Sequence, residues 1–118
     1  MTFELCNSET ALTAARYLSN SRDVFVDCQG RDLGYEDGEL QILTIATVMR
    51  GRHAFLFDIR MLPLNVLMPV LDILSNNSTR KIVWNGRKLN IELQRVFGVQ
   101  LGCVLDLRLA DAVSRQNR

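Results

Sequence analysis

The chain has 118 residues, of which 47% are hydrophobic and 23% charged, with a net charge of +1. Those values describe one small soluble domain, residues 1–118, able to bury a core. They exclude nucleic-acid binding driven by bulk charge, so any such binding must come from a local patch.

Three cysteines without a CxxC spacing exclude a disulfide framework and a cysteine zinc site. Cys6, Cys28 and Cys103 therefore read as reduced core or near-core residues of an intracellular protein. Met1 to Asn7 lack the basic and apolar regions of a targeting segment. No apolar run approaches the roughly 20 residues of a membrane helix. The expected location is cytoplasmic or nuclear, with no membrane association.

In chain order, Ser8 reads as an N-cap with Glu9 just inside it, and Ala11, Leu12, Ala15 and Leu18 form a helical stripe that ends at Ser19-Asn20-Ser21. Val24-Phe25-Val26 is a short apolar run between Asp23 and Asp27, the pattern of a fully buried central strand. Gly30 to Gly38 is a polar, glycine-bearing loop. A second strand is expected from Leu40 to Val48, a turn at Arg50-Gly51-Arg52, and a third strand from Ala54 to Phe57. Their short connections predict antiparallel pairing.

Leu64, Leu67, Val70, Leu71 and Leu74 then recur at helical spacing. Pro63 suits the start of that helix, whereas Pro69 implies either a later start or a kink. Ile82-Val83-Trp84 is a further buried strand, and Asn85 caps a helix whose Leu89, Leu93, Val96 and Phe97 share one face and which stops at Gly98. Val104-Leu105 is the fifth strand, and Leu107 to Val113 opens a last helix. The order predicts an α/β domain with a mixed five-stranded sheet and helices on its faces.

Three stretches carry a resemblance: VFVDCQG (Val24 to Gly30), GELQILTIAT (Gly38 to Thr47) with AFLFDIRML (Ala54 to Leu62), and the run from Lys81 to Arg115. In this order they resemble the RNase D group of DEDD 3′–5′ exonucleases, including the exonuclease 3′–5′ domain-containing proteins. The resemblance implies a ribonuclease H-like fold without the C-terminal helices of the full domain. It also implies chemistry in which four carboxylates hold two divalent metals about 4 Å apart for in-line phosphodiester cleavage.

Residue by residue, Asp27 matches the first carboxylate, and the second falls on Gln29, an uncharged and poorer ligand for a hard cation. The third falls on Leu89, which reads as packing; Asn90 takes its place only with a one-residue shift. The fourth, with its Tyr or His partner, would lie several dozen residues past the last helix opening. Asp27 is then either a leftover metal ligand or a polar strand-end residue bonded to backbone. Asp106 reads as the cap of the last helix, Asp58 as a turn residue, His53 as a lone surface histidine, and Trp84 as core or a base-stacking side chain. Met61 and Met68 read as core or interface.

Arg31, Arg50, Arg52, Arg87, Lys88, Arg108 and Arg115 are either a phosphate-binding surface or scattered solvated charge. Arg87 and Lys88, which open a helix beside the cleft, are the best two candidates, with Arg31 as a third. The resemblance implies a catalytically degenerate domain serving as an RNA-binding or protein-interaction scaffold in RNA metabolism or small-RNA silencing. No cofactor is expected of it, and dimerisation is one way to cover its last helix. A competing expectation is an active Mg2+- or Mn2+-dependent 3′–5′ exonuclease on RNA or DNA, with Gln29 and Asn90 as ligands. A third is a purely structural dimerisation or partner-binding domain.

Overall fold

The computed structural model describes residues 2–47 and 53–116. The elements run β1 (Thr2–Leu5), α1 (Ser8–Ser19), β2 (Asp23–Arg31), β3 (Glu39–Thr47), β4 (His53–Asp58), α2 (Leu64–Ser75), β5 (Arg80–Val83), α3 (Gly86–Phe97), β6 (Val104–Asp106) and α4 (Leu107–Gln116). The strands form one mixed six-stranded sheet in the order β1-β4-β3-β2-β5-β6. β2, β3 and β4 form the expected antiparallel meander, while β1 pairs β4, β5 pairs β2 and β6 pairs β5 in parallel.

The placement of the helices follows from this order. The parallel crossovers β1-α1-β2, β4-α2-β5 and β5-α3-β6 all advance in the same direction across the sheet. Right-handed crossovers that advance one way put their helices on one face. The core agrees, because Ala11, Leu18, Leu71, Leu74, Leu89 and Leu93 from the three helices join Val24, Val26, Leu43, Ile45, Phe57 and Val83 from one sheet face in a single buried cluster. Each fully buried Leu, Ile, Val or Phe contributes about 1.5–3 kcal/mol.

The opposite face is open. Along β2, Val24 and Val26 are buried, whereas Phe25 is 43% exposed and Asp27 and Gln29 are exposed. On β1, Phe3 and Leu5 are also exposed. The central strand is therefore covered on one face only, and not on both as its apolar run suggests. Neighbouring strands satisfy its backbone edges, but an unbroken apolar run does not say how many faces are packed.

Several expectations are corrected. The sheet has six strands because Thr2–Leu5 adds an edge strand; its alternation of polar and apolar residues is too short to stand out from a loop. The α1 cap is Asn7, one residue earlier than Ser8, with Asn7 Oδ1 accepting from the N–H groups of Glu9 (3.0 Å) and Thr10 (2.9 Å), and Thr10 Oγ1 accepting from the Asn7 N–H (2.9 Å). α2 starts after Pro63 and continues through Pro69. β5 ends at Val83, which leaves Trp84 63% exposed and outside the core.

Val96 is exposed, although Phe97 beside it packs against the core. Met61 and Met68 are exposed and do not belong to the core. Cys6 is buried and Cys28 partly buried, but Cys103 is exposed. His53 opens β4, half-buried, and packs edge-on to Tyr17 with ring centroids 5.7 Å apart, so it is not a lone surface histidine. Asp58 does make a turn: its Oδ1 accepts from the Arg60 N–H at 3.0 Å. Gly98 ends α3 in the left-handed region, φ 67°. Val48 and the turn Arg50-Gly51-Arg52 lie outside the described residues.

Candidate functional site

β2, β5 and β6 are neighbouring parallel strands, and the chain leaves all three at the same edge of the sheet. In open α/β sheets the crevice outside the strand carboxyl ends is the ordinary place for a ligand. Here that edge is built from the 32–38 loop after β2, the Trp84-Asn85 step into α3, and the direct junction of β6 with α4.

Asp106 organises the junction. Its Oδ1 accepts from the N–H groups of Asn85 (3.0 Å) and Arg108 (3.0 Å), and its Oδ2 accepts from the Gly86 N–H (2.9 Å). It caps α4, as expected, and α3 as well. Asn85, read from sequence as the α3 cap, makes no side-chain cap bond and sits in the left-handed region at φ 59°, a conformation Asn tolerates better than most residues. The physical reason for the correction is that a carboxylate from the next strand already takes the first amides. Burial alone raises the Asp106 pKa, but the amide donors of Gly86, Asn85, Arg108 and Leu109 outweigh it and hold the carboxyl below its usual range.

Loop 32–38 is pinned to α3 by an ion pair whose carboxylate is fully buried and whose guanidinium is one third exposed. Glu92 is fully buried; its Oε2 accepts from the Gly34 N–H (3.2 Å) and from Arg95, while Oε1 has no hydrogen-bond partner. Arg95 also donates to the carbonyls of Tyr35 (2.5 Å) and Glu36 (2.7 Å). Gly34, at φ 86°, lets the loop lie close on the helix; a Cβ there would stand 3.2 Å from Lys88 Cγ. The sequence signal for this clamp was a charged residue on the apolar stripe of α3, between Leu89 and Leu93.

The sequence-derived site residues fall in separate places. Asp27 lies in the middle of β2, not at its end, opposite Thr44 on β3, and Gln29 lies opposite Ile42 on the same open face. Leu89 is 3% exposed within the core. Asn90 points to the far side of α3, where its Oδ1 accepts from the Leu101 N–H at 3.0 Å, so a one-residue shift does not bring it beside Asp27. Cys28 faces the core, and burial with the charges of Asp27 and Glu92 pushes its thiol up to about 11.

The residues at this edge do not suit a pair of divalent metals. Among the described residues no three His, Cys, Asp or Glu side chains come together around a point that would hold a metal ion. Asp27 is the one carboxylate at the positions matched to the cleft.

Arg87 and Lys88 do come together. With Leu33, Gly34, Tyr35, Asn85, Ile91 and Arg108 they line a cavity of about 230 Å3 at the strand carboxyl ends. Arg31 stands apart, paired with Glu39 at 3.5 Å. A second, larger and mostly apolar groove of about 860 Å3 runs between α3 and α4, lined by Asn90, Leu101, Val104, Leu109 and Val113 among others. α4 buries none of its side chains.

No family model matches the chain, and no curated protein matches it. Solved structures do. The chain is similar to Trypanosoma brucei RNase D, in a complex with the RNA U12, at 22% identity and a TM-score of 0.79 over 90% of this chain and 37% of that one. It is similar to Escherichia coli RNase D at 16% identity and a TM-score of 0.79, covering 95% and 29%. It is similar to the Aedes aegypti Nibbler EXO domain at 11% identity and a TM-score of 0.79, covering 97% and 56%. The chain thus spans about a third of the length of the RNase D chains it matches. Its fold is that of the RNase D-type DEDD 3′–5′ exonuclease domains, as the sequence resemblance implied. No described helix is long and apolar enough to cross a membrane.

Proposed function

We propose that this exonuclease-fold domain binds RNA without cutting it, acting as a scaffold in RNA metabolism or small-RNA silencing. One observation carries the reading: the position matched to the third metal-binding carboxylate holds a leucine packed in the core, and the position matched to the second holds Gln29. Cleavage by this fold needs charged ligands that clamp two divalent ions on the attacking and leaving oxygens. Asp27 alone supplies neither the charge nor the geometry. What the cleft edge offers instead is Arg87, Lys88 and Arg108, none of them paired with a carboxylate among the described residues, and the similar T. brucei RNase D is known in a complex with RNA.

Two measurements test this reading. Calorimetric titration with Mg2+ and Mn2+ is expected to show no tight binding; tight two-site binding, with shortening of a 3′-labelled RNA, would return the domain to the active exonucleases. Fluorescence anisotropy with a single-stranded oligouridylate is expected to show binding that weakens steeply from 50 to 200 mM salt. No binding at 50 mM would remove RNA from the reading.

A second reading is favoured by the open sheet face, where Phe3, Leu5 and Phe25 are exposed, and by α4, which has no buried side chain. Apolar side chains exposed on a sheet face and along a helix are surfaces that protein contacts cover. A partner protein, or a second copy of the chain, would cover it. Sedimentation that showed only monomer at high micromolar concentration would exclude the second copy.

A further inference from the structure

We propose that the cavity walled by Tyr35, Arg87, Lys88 and Arg108 is a phosphate-binding pocket, occupied by one phosphate of single-stranded RNA with its nucleoside beside Tyr35. The occupant rests on the RNA-binding reading above; the pocket's chemistry stands on four observations of its own.

The first is the convergence of cations that have no carboxylate partner. Among the described residues, Arg31, Arg60, Arg80, Arg95 and Arg115 are each paired with a carboxylate, and Lys81 is buried with its ammonium donating to the carbonyls of Asn76 and Thr79. Arg87, Lys88 and Arg108 make no such pair, and neither do Arg16 and Arg22, but only Arg87, Lys88 and Arg108 converge on one cavity. The second is the absence of acid from its wall. Asp32, Glu36 and Asp37 belong to the same loop but do not line it. Asp106 is turned to backbone amides, and Glu92 is drawn beneath the loop by Arg95.

The third is rigidity. Arg87 and Lys88 ride on the first turn of a helix that Asp106 caps, Arg108 on the first turn of a second helix held by the same carboxylate, and Tyr35 on a loop locked by Arg95. The backbone that carries the charges is fixed, so binding has only the side chains to order. The fourth is size. A volume of about 230 Å3 lies below the roughly 300–1,000 Å3 of drug-sized sites; it admits a phosphate with part of its sugar, and Tyr35, 65% exposed at the rim, offers a ring face to a base.

The test uses the whole chain. Inorganic phosphate, followed by amide NMR, is expected to shift Tyr35, Asn85, Arg87 and Arg108 most. In anisotropy with a ten-nucleotide oligouridylate, Arg87→Ala and Arg108→Ala are each expected to weaken binding about five- to tenfold and to lower the salt slope by roughly one. Arg16→Ala, on the far helix α1, is expected to change nothing. Oligonucleotides with a 5′-phosphate, a 3′-phosphate or neither separate a terminal from an internal phosphate: a gain of tenfold or more for one end assigns the pocket to that end, and equal binding assigns it to an internal phosphodiester.

Wild-type RNA affinity and salt slope in the Arg87→Ala/Arg108→Ala double variant would overturn the pocket while leaving RNA binding intact. Phosphate shifts at these four residues without RNA binding would remove the RNA occupant, and the function proposed above, while leaving the phosphate pocket standing. All three cations are exposed, so their loss is not expected to unfold the domain.

Discussion

Asp106 joins β6, α3 and α4 through a single carboxylate, so its removal has a calculable cost. Asp106→Ala deletes the acceptor of three backbone N–H groups at 2.9–3.0 Å. A buried hydrogen bond to a charged acceptor contributes about 1.5–3 kcal/mol and a helix cap about 1 kcal/mol. The site is only partly buried, so water recovers part of each bond. About 1 kcal/mol per bond gives a loss of about 3 kcal/mol, a fall in urea midpoint of roughly 1.5–2 M for a slope of 1.5–2 kcal/mol/M.

Asp106→Asn keeps one oxygen for Asn85 and Arg108 but turns an NH2 group toward the Gly86 N–H, and is expected to cost about 1–2 kcal/mol. The folded-state pKa is depressed, so the carboxylate's contribution is complete above the unfolded value near pH 4 and disappears as pH falls through the lower folded value. The stability gap between wild type and Asp106→Asn should therefore be full at pH 7 and narrow toward pH 3. Urea denaturation at pH 7, 5, 4 and 3 measures it. Equal stability at pH 7, or a gap independent of pH, would refute the double-cap reasoning.

Three further outcomes are expected. Arg95→Ala should cost about 3–5 kcal/mol, because it strands the fully buried Glu92 carboxylate, and Glu92→Gln should cost less; urea midpoints in the reverse order would show that the clamp is not the ion pair. Burial, with the nearby Glu4 carboxylate for Cys6 and Asp27 for Cys28, pushes both thiols up to about 11, whereas Cys103 is exposed. Iodoacetamide at pH 8 should therefore add a single group to the native protein, at Cys103, as read by peptide mass. Leu89→Asp should cost about 4 kcal/mol by thermal or urea melts, since it places a carboxylate where 3% of the residue is exposed. Gln29→Glu on the open face should stay within about 0.5 kcal/mol, and a Leu89→Asp protein as stable as wild type would mean that position 89 faces the cleft.

Much of the architecture was legible locally. Of the stripe Ala11, Leu12, Ala15 and Leu18, all but the exposed Leu12 are buried, and the glycine stop at Gly98 stands; both follow from helical period and backbone sterics. The meander followed by crossovers was readable from connection lengths. Trp84 and Val96 were misplaced because periodicity reports which residues share a face, and not where the packed neighbour ends. The bonds of Glu92 to Gly34, of Arg95 to Tyr35 and of Asp106 to the start of α3 were missed because those partners lie 20 or more residues apart along the chain.

By itself the sequence determined the order and type of most elements, the fold they build, and the residue types at the positions matched to metal ligands, because these depend on short-range backbone preference and on identity. Only the tertiary structure decided that all three crossover helices share one face, that Asn90 turns away from Asp27, and that Arg108 joins Arg87 and Lys88 around one cavity while Arg31 is held by Glu39. Those facts depend on which strand edges meet in space, and a side chain's charge acquires a partner or remains free only once segments distant in the chain are brought together.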